Sequence, residues 1–362
     1  MFDTSPEFQP GRAAVFYGTG QPFQFINKPV PVIEPGEILV KNLYTTICGS
    51  DVHTWCGRRM EPPQVVLGHE ITGDILFIDP AHSAKDLRGQ TLEVGDRITW
   101  SIFSVPPGNP APRPDIPQKS NNLFKYGHAL AKEGDVFNGG LADYCILRKD
   151  TAIIKISKKI PLKVAATISC AHSTVAGALR VAGDVGGKKV LVFGAGLLGI
   201  SCIAMCHEAG AEWIGAIDID MRRLSISHAF GANEGYNIAQ GIPTPLLWPE
   251  ADIVFDMTGD TKAMQAGIDS LRTGGIAVWI GAVFPNSPVQ VDAQKIVRKV
   301  LQIRGLHNYN FDDFLAATAF IEANYQKYPF EDLVEKEFTL EQTEQAFEFA
   351  AKGKPVRAGV KI

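Results

Sequence analysis

Short apolar runs alternate with turn-forming residues through the first part of the chain. Between residues 12 and 100, the runs AAVFY, EILVKNLYTTI, ITGDILFI and DRITW are separated by proline, glycine and aspartate. Short strands bounded in this way are typical of barrels and partly open sheets. The pattern returns at residues 139–156, after a proline-rich stretch at residues 104–119 that excludes a helix or a central strand. We therefore predict a β-rich module with a long extended loop.

The pattern changes near residue 161. From there to about residue 305, strand-like runs alternate with helix-like runs, beginning with KKVLVFG and LLGISCIAMCHEAG. Such alternation predicts a parallel sheet with helices on its faces. Two more helical patterns, FDDFLAATAFIEANYQ and LEQTEQAFEFAAK, precede a β-like end. The chain is therefore predicted to be an α/β protein with a β-rich part and a doubly wound part.

Composition and charge narrow the class of protein. The chain has 362 residues, which suggests two or three domains, and its 45% hydrophobic and 20% charged residues are typical of a globular protein. Its formal net charge of −4 supplies no strong basic field, so we expect neither nucleic acid nor a membrane as a partner. Residues 190–206 carry no charge, but their spaced glycines favour a buried strand, turn and helix over a membrane span. Without a signal peptide or a cysteine framework, the predicted location is the cytoplasm.

A glycine-rich turn follows the run KKVLVF and opens the next helical run. Its sequence, GAGLLG, matches the G-x-G-x-x-G pattern of dinucleotide sites. The first glycine permits a tight turn, the second lets a pyrophosphate approach the backbone, and the third lets helix and strand pack closely. Alternatively, these glycines only pack a doubly wound sheet. The candidate coenzyme-binding residues in this turn are Gly194, Gly196, Leu197, Leu198 and Gly199.

An acidic residue ends the following strand-like run. This residue, Asp218, can accept hydrogen bonds from both ribose hydroxyls of NAD and would repel the additional phosphate of NADP. Arg222 and Arg223 lie close by and leave room for NADP, and Arg223 is a candidate coenzyme contact. The sequence thus favours NAD over NADP.

Three separate segments offer metal ligands. They contain Cys48 in TTICGSD, His69 in LGHEI and Cys170 in TISCAH. Two thiolates and an imidazole, with one position left open, form the ligand set of a catalytic zinc ion. Asp51 could accept the second ring proton of His69 and fix its tautomer. Cys56 competes as a ligand, and each cysteine by itself could be a small buried apolar residue.

The order of these motifs resembles that of the zinc-dependent medium-chain alcohol dehydrogenases. The resemblance covers essentially the whole chain, from CGSDVH through GHE, Cys170 and GAGLLG to the terminal GKPVRAGVKI. It implies a GroES-like catalytic domain at residues 1–171, a Rossmann coenzyme domain at residues 172–306, and a return to the catalytic domain at residues 307–362.

The resemblance also implies roles for individual residues. Cys48, His69 and Cys170 would bind zinc, and Glu70 would be a near ligand that occupies the metal transiently. Ser50 and His53 would pass the alcohol proton to solvent. The coenzyme would contact the remaining matched residues, which are Thr174, Thr258, Gly259, Ile280, Gly281 and Arg357.

One part of the family pattern is missing. Many members bind a second, structural zinc ion through four closely spaced cysteines, but residues 101–128 contain no cysteine. Because that site needs four thiolates, we predict one zinc ion per chain.

A pair of arginines distinguishes the region expected to line the substrate site. Arg59 follows the first cysteine ligand by eleven residues, at the family's substrate-lining position, and Arg58 precedes it. A guanidinium there could bind phosphate, phosphonate or carboxylate, unless the pair is simply solvated at the surface. Lys125, His128 and His172 could add positive charge, although a surface or structural role suits each of them better. The surrounding segments also resemble the phosphonate-metabolism-associated subgroup.

These inferences predict reversible hydride transfer between NAD and a small polar or anionic alcohol, such as a hydroxyalkylphosphonate or its aldehyde. Two alternatives remain: a sorbitol-like or threonine-like polyol or amino-alcohol dehydrogenase, and a non-catalytic NAD-binding redox sensor. The family forms dimers or tetramers through a sheet edge, for which residues 278–284 are the candidate here.

Overall fold

The structure, a computed structural model, divides the chain into two compact units. The first unit joins the residues up to Cys170 with Phe330–Ile362, and the second is Ala171–Pro329. The prediction of a long extended loop at residues 104–119 lies partly outside the described residues. The described residues are 8–106, 108, 111, 113–131, 135–243 and 246–362.

Short strands build most of the first unit, as the alternating pattern predicts. Two of its strands form a small antiparallel pair, and the others belong to a larger mixed sheet. A 3₁₀ turn at Ala166–Ser169 ends this part of the chain. The strands and helices before that turn are β1 (Gly11–Val15), β2 (Gln24–Lys28), β3 (Ile38–Ile47), α1 (Gly49–Trp55), β4 (Glu70–Ile78), β5 (Arg97–Ser104), β6 (Phe124–Lys125), β7 (Tyr144–Leu147), β8 (Thr151–Lys155) and α2 (Leu162–Ala165).

The second unit alternates helices and strands around one parallel sheet. Its six strands pair in parallel throughout, and β12, ADIVFD, is buried along its whole length, as expected of a sheet covered on both faces. Its elements are α3 (Ala171–Ala182), β9 (Lys189–Phe193), α4 (Leu197–Glu208), β10 (Trp213–Asp218), α5 (Met221–Ala229), β11 (Glu234–Asn237), β12 (Ala251–Asp256), α6 (Thr261–Asp269), β13 (Leu271–Trp279), α7 (Ala293–Lys299), β14 (Gln302–Gly305) and α8 (Phe311–Asn324).

The last residues return to the first unit. They form β15 (Val334–Thr339), α9 (Thr343–Gly353) and β16 (Arg357–Lys361). Strand β16 lies between β15 and β3, and the sheet continues through β4 and β5 to β6. Strand β16 therefore completes the large sheet of the first unit, which also contains β3 and β4.

Two predictions about the second unit are corrected. Its end lies at Pro329 rather than at residue 306, because α8 packs against α3 inside this unit. Residues 278–284 do not form a free sheet edge: β13 pairs with β12 on one side and with β14 on the other, and the chain leaves the strand after Trp279. The edge position belongs to β14, so the apolar character of β13 reflects burial and not exposure.

The uncharged run at residues 190–206 is a strand, a turn and a helix, as predicted. It covers most of β9 and the buried part of α4. Among the described helices, none combines the length and apolar character that a membrane span requires.

Candidate functional site

Helix α1 places the first of the predicted metal ligands at its start. Cys48 is its N-cap, and the backbone N–H of Cys48 donates to Asp51 Oδ2 at 2.9 Å. A carboxylate in the first turn satisfies one of the backbone donors that a helix start leaves unpaired. The cap therefore fixes Cys48 and Asp51 together at one end of a seven-residue helix.

The second ligand segment reaches the same place through a tight turn. Gly68 has φ +89°, a conformation that favours glycine, and His69 follows it immediately before β4. Cys170 follows the 3₁₀ turn, where Ser169 Oγ donates to the carbonyl oxygen of His69 at 3.2 Å. This bond ties two segments that are 100 residues apart in sequence.

The three predicted metal ligands meet. One ligand atom from each of Cys48, His69 and Cys170 lies within 4.8 Å of the other two. Tetrahedral zinc with bonds of about 2.0–2.3 Å needs ligand atoms this close, so the donor set fits the ion. Cys56, the competing ligand, is exposed and lies outside this group.

The imidazole of His69 is held by a carboxylate on the side opposite its candidate metal-binding nitrogen. His69 Nδ1 lies 3.2 Å from Asp51 Oδ1, and both side chains are buried. A carboxylate at this distance favours a proton on Nδ1, which leaves Nε2 as the nitrogen for a metal. Burial acts to lower the pKa of His69, but Asp51 and Cys48 raise it overall.

The two sulfur ligands are electrostatically coupled. A hydrogen bond with Cys170, helped by the charges of Arg357 and His69, lowers the pKa of Cys48 well below its usual range. The same contact and burial raise the pKa of Cys170. Zinc would displace any remaining thiol proton, because thiolates are the ligands it binds.

Glu70 is buried beside these ligands but is already paired. Its carboxylate accepts hydrogen bonds from Arg357 Nε and Nη2 at 3.0 and 3.1 Å, and also from Thr46 Oγ1. Arg357 Nη2 lies 3.5 Å from Cys48 Sγ. Glu70 does not belong to the set of residues whose ligand atoms all lie within 4.8 Å of one another, which is Cys48, His69 and Cys170. The guanidinium expected to meet a coenzyme phosphate is thus 7% exposed and paired with a carboxylate.

The two predicted proton carriers lie on α1. Ser50 Oγ is 3.4 Å from His69 Nε2, the nitrogen that faces the metal position. His53, one turn further along, is half-buried. Burial and the charges of Arg58 and Arg59 lower the pKa of His53, which favours the neutral, proton-accepting imidazole.

Glu61, which the sequence did not single out, pairs with one of the two arginines and not with the other. Arg59 is 24% exposed and pairs with Glu61 at 2.8 Å, whereas Arg58 is exposed. Glu61 Oε1 also lies 3.0 Å from His128 Nδ1, and the His128 ring lies 4.9 Å from the His69 ring between centroids. The spacing of Glu61 two residues after Arg59 was the available signal, but sequence does not show that the two side chains face each other.

The glycine-rich turn joins β9 to α4 as predicted. Gly194 has φ +93°, and a Cβ on Gly199 would overlap the carbonyl oxygen of Gly194. At Gly196 a Cβ would meet only Arg223 Nη1, at 3.9 Å, so this position is open to a ligand. The turn therefore has the closely packed and the open glycine that a phosphate cradle requires.

Asp218 ends β10 beside this turn. Its carboxylate accepts from the backbone N–H of Ala195 at 2.6 Å and of Asp220 at 2.9 Å. The acid thus holds the turn in place as well as standing at the position predicted for ribose recognition. Arg223 Nη1 lies 3.9 Å from the position that a Cβ on Gly196 would take.

The remaining predicted coenzyme residues follow strand ends. Thr258 and Gly259 follow β12, and Ile280 and Gly281 follow β13, at the carboxyl ends where open α/β sheets bind ligands. Asp256, missed from the sequence, accepts from Thr258 Oγ1 at 2.6 Å and Gly259 N at 2.9 Å. Thr174 lies buried in the first turn of α3.

Comparison with known protein families gives two matches. The family described as alcohol dehydrogenase GroES-like domain matches residues 34–158, and zinc-binding dehydrogenase matches residues 198–323. The chain is 29% identical to D-xylulose reductase A of Aspergillus niger over 350 residues, covering 92% of each chain. It is 28% identical to the Aspergillus oryzae protein of the same name over 358 residues, covering 94% of each.

Solved structures agree with this fold. An alcohol dehydrogenase from Thermotoga maritima matches with a TM-score of 0.88 and 25% identity, covering 98% of this chain and all (100%) of its own. A zinc-binding dehydrogenase from Sinorhizobium meliloti bound to NADP matches with a TM-score of 0.84 and 19% identity over 98% of this chain and 100% of its own. This second likeness bears on the fold alone.

Proposed function

This chain belongs to the zinc-dependent medium-chain alcohol dehydrogenase family, and we propose that it interconverts a small polar alcohol and its carbonyl compound with NAD as coenzyme. The observation that carries the proposal is the convergence of Cys48, His69 and Cys170 in the first unit. A redox sensor without catalysis would not need this ligand set beside a serine and a histidine on α1.

The three ligands would hold one zinc ion, and the residues around them would hold and move the proton. Zinc would supply a Lewis acid for the alcohol or carbonyl oxygen, and the nicotinamide would accept or return the hydride. Ser50 would accept the alcohol proton, because its Oγ lies next to the metal-facing nitrogen of His69. His53 would pass that proton to solvent, since its lowered pKa keeps it neutral.

Glu70 and Arg357 support this site in the proposal. Arg357 neutralises Glu70 and donates towards Cys48, so it favours the thiolate. Transient metal binding by Glu70 would require its carboxylate to leave Arg357. Any contact of Arg357 with a coenzyme phosphate would use guanidinium protons beyond those bonded to Glu70.

NAD is the preferred coenzyme in this proposal. Asp218 supplies a carboxylate at the predicted ribose position, where the additional phosphate of NADP would be repelled. Arg223 beside Gly196 supplies a positive charge near the expected pyrophosphate. Residual activity with NADP would therefore depend on Arg222 and Arg223.

A polyol or the matching ketose is the substrate class that the relatives support, because those described above are D-xylulose reductases. Their names lend no support to a hydroxyalkylphosphonate, which stays a prediction based on Arg59. We also propose that the protein is a homodimer or tetramer in the cytoplasm and that it has no nucleic-acid or membrane partner.

The test is metal analysis combined with turnover. The purified enzyme should contain about one zinc atom per chain and should oxidise xylitol, sorbitol or 2-hydroxyethylphosphonate faster than ethanol or threonine, with NAD faster than with NADP. A protein that binds NAD but contains no zinc and reduces no NAD with any of these alcohols would be the non-catalytic sensor instead.

A further inference from the structure

A second histidine packs against the metal-ligand histidine. The ring of His128 lies on the ring of His69, with 4.9 Å between the ring centroids and an angle of 33° between the ring planes. The backbone brings the two segments together, because a Cβ on Gly127 would lie 3.1 Å from His69 Cβ and 2.6 Å from the carbonyl oxygen of Gly68. His128 is thus a direct neighbour of the candidate metal centre, although it is far from His69 in sequence.

One ring nitrogen of His128 is held by a carboxylate. His128 Nδ1 lies 3.0 Å from Glu61 Oε1, and the two side chains are 7% and 10% exposed. The same oxygen lies 2.8 Å from Arg59 Nη2. Burial acts to raise the pKa of Glu61, but the hydrogen bond with His128 and the charge of Arg59 lower it overall, so the carboxylate is ionised. Because an ionised carboxylate can only accept hydrogen bonds, the proton of a neutral His128 lies on Nδ1.

The other ring nitrogen of His128 is open to a ligand. Within the described residues, His128 Nε2 has no hydrogen-bond partner. It is also absent from the buried polar atoms that lack a partner, so it belongs to the accessible 7% of the side chain. In a neutral imidazole whose Nδ1 carries the proton, Nε2 is a hydrogen-bond acceptor. An acceptor held in place beside the metal centre favours a ligand with a hydroxyl group over the same ligand without it.

We propose that His128 Nε2 accepts a hydrogen bond from a second hydroxyl group of the substrate, on a carbon next to the one that reacts. The inference rests on the proposed function, because the reacting hydroxyl is the one that reaches the metal. The contact between the His128 and His69 rings puts the acceptor beside that hydroxyl. His128 is thereby a specificity-determining residue, and Glu61 and Arg59 are positioning residues that act through it. The guanidinium of Arg59 in this role needs no anionic substrate.

Matched alcohols and the zinc-loaded enzyme test the role of His128. 2,3-Butanediol and 2-butanol differ by one hydroxyl next to the reacting carbon, as do 1,2-propanediol and 2-propanol. We expect wild type to have the higher kcat/KM for the diol in both pairs. His128→Phe keeps a ring against His69 but offers no acceptor, so it should lower the diol-to-monool ratio of kcat/KM about tenfold, or about 1.4 kcal/mol. A ratio within about twofold of wild type, at equal zinc content, would overturn the proposal.

A second substitution at the same position separates the acceptor from the ring. His128→Gln loses the ring but supplies an amide oxygen that can accept a hydrogen bond, so its diol-to-monool ratio should be at least about threefold above that of His128→Phe. His82→Phe is the matched control, because the Nδ1 of His82 accepts from the backbone N–H of Ala84 in a turn, and it should leave the ratio unchanged. A ratio retained in His128→Phe and lost in His128→Gln would show that packing of the ring, and not a hydrogen bond, sets the preference.

A double-mutant cycle tests whether Glu61 acts through His128. Glu61→Leu removes the carboxylate that holds Nδ1, so the ring can turn and the ratio should fall by about threefold or more. Adding Glu61→Leu to His128→Phe should cause no further loss, because the acceptor that Glu61 positions is already gone. Losses that simply add in the double variant would contradict the positioning role of Glu61.

Direct binding distinguishes failure of this inference from failure of the proposed function. Calorimetric titration of the zinc-loaded protein should show tighter binding of 2,3-butanediol than of 2-butanol in wild type and nearly equal binding in His128→Phe. If no alcohol is oxidised but this difference in binding depends on His128, the proposed reaction is wrong and the hydroxyl contact stands. If alcohols are oxidised but wild type prefers the diol in neither measurement, or prefers it equally in His128→Phe, the hydroxyl contact is wrong.

Discussion

Individual side chains in this protein serve the site through a few short-range contacts. Asp51 both caps α1 and faces His69, so one carboxylate fixes a helix start and an imidazole tautomer. Cys170 carries the other half of the thiol pair that a metal would deprotonate. We therefore expect substitutions at these residues to reduce the amount of bound zinc more strongly than they reduce the stability of the fold.

Cys170→Ser should release the metal. A serine hydroxyl is a poor zinc ligand, so we expect zinc content to fall from about one atom per chain to a small fraction and activity to fall at least about a hundredfold. Elemental analysis and initial rates measure both. Cys56→Ser is the matched control and should retain wild-type zinc, since Cys56 is exposed and outside the ligand group. Zinc loss in the control and not in Cys170→Ser would reverse the ligand assignment.

Arg58→Gln should shift the pH profile of turnover. The arginine charge disfavours protonated His53 and lowers its pKa, so its removal raises that pKa. The proton carrier would then become charged at higher pH, and the acidic limb of kcat/KM should move to higher pH. Arg113→Gln removes an exposed arginine elsewhere and should leave the limb in place. A limb that moves down in Arg58→Gln would contradict the relay role of His53.

At the scale of elements, the glycine-rich turn depends on how closely α4 approaches β9. Gly199→Ala would place a methyl group on the carbonyl oxygen of Gly194 and should destabilise the protein by about 1–3 kcal/mol. Gly196→Ala has room for its methyl group but fills the expected path of the pyrophosphate. We expect it to weaken NAD binding while the melting temperature stays near that of wild type. Thermal unfolding and NAD titration of both variants measure this contrast. Equal melting temperatures for Gly199→Ala and Gly196→Ala would contradict it.

Sequence patterns predicted the elements well where periodicity and spacing agreed. The G-x-G-x-x-G turn, its flanking strand and helix, and the run of parallel βα units follow from local patterns. The pattern did not show that β14 lies outside β13, because strand order depends on pairing and not on hydrophobicity. The later boundary at Pro329 was missed for a similar reason: α8 looks like any amphipathic helix until its packing on α3 is known.

Residue types and the family resemblance predicted the metal ligands, but they did not predict the acidic groups that pair with other residues of the candidate sites. Cys48, His69 and Cys170 are rare donors in distinctive segments. Glu61 and Asp256 are ordinary acids whose roles come from contacts made after folding. Arg357 was recognised as functional, but its pairing with Glu70 is a contact across 287 residues that no local pattern encodes.

At the scale of the whole molecule, zinc should contribute to stability. A ligand bound by the folded state alone adds about 2.7 kcal/mol when its concentration is a hundred times its Kd. Chelation should therefore lower the melting temperature of the wild-type enzyme by several degrees, and added zinc should restore it. Cys170→Ser should melt at one temperature with or without chelator. Equal sensitivity of wild type and variant to the chelator would show that the metal acts elsewhere.

The first unit consists of two separate stretches of the chain, and this arrangement sets the order in which its parts are synthesised. All three metal ligands have left the ribosome once Cys170 emerges, whereas β16 and Arg357 follow only after the whole second unit has been made. Until then one side of β3 is paired only at residues 38–41, by β7, while residues 44–47 await β16, and Glu70 lacks the guanidinium of Arg357. The nascent protein thus passes through a stage that has its zinc donors but lacks the guanidinium that pairs with Glu70, and this pair can form only after the second unit has been translated.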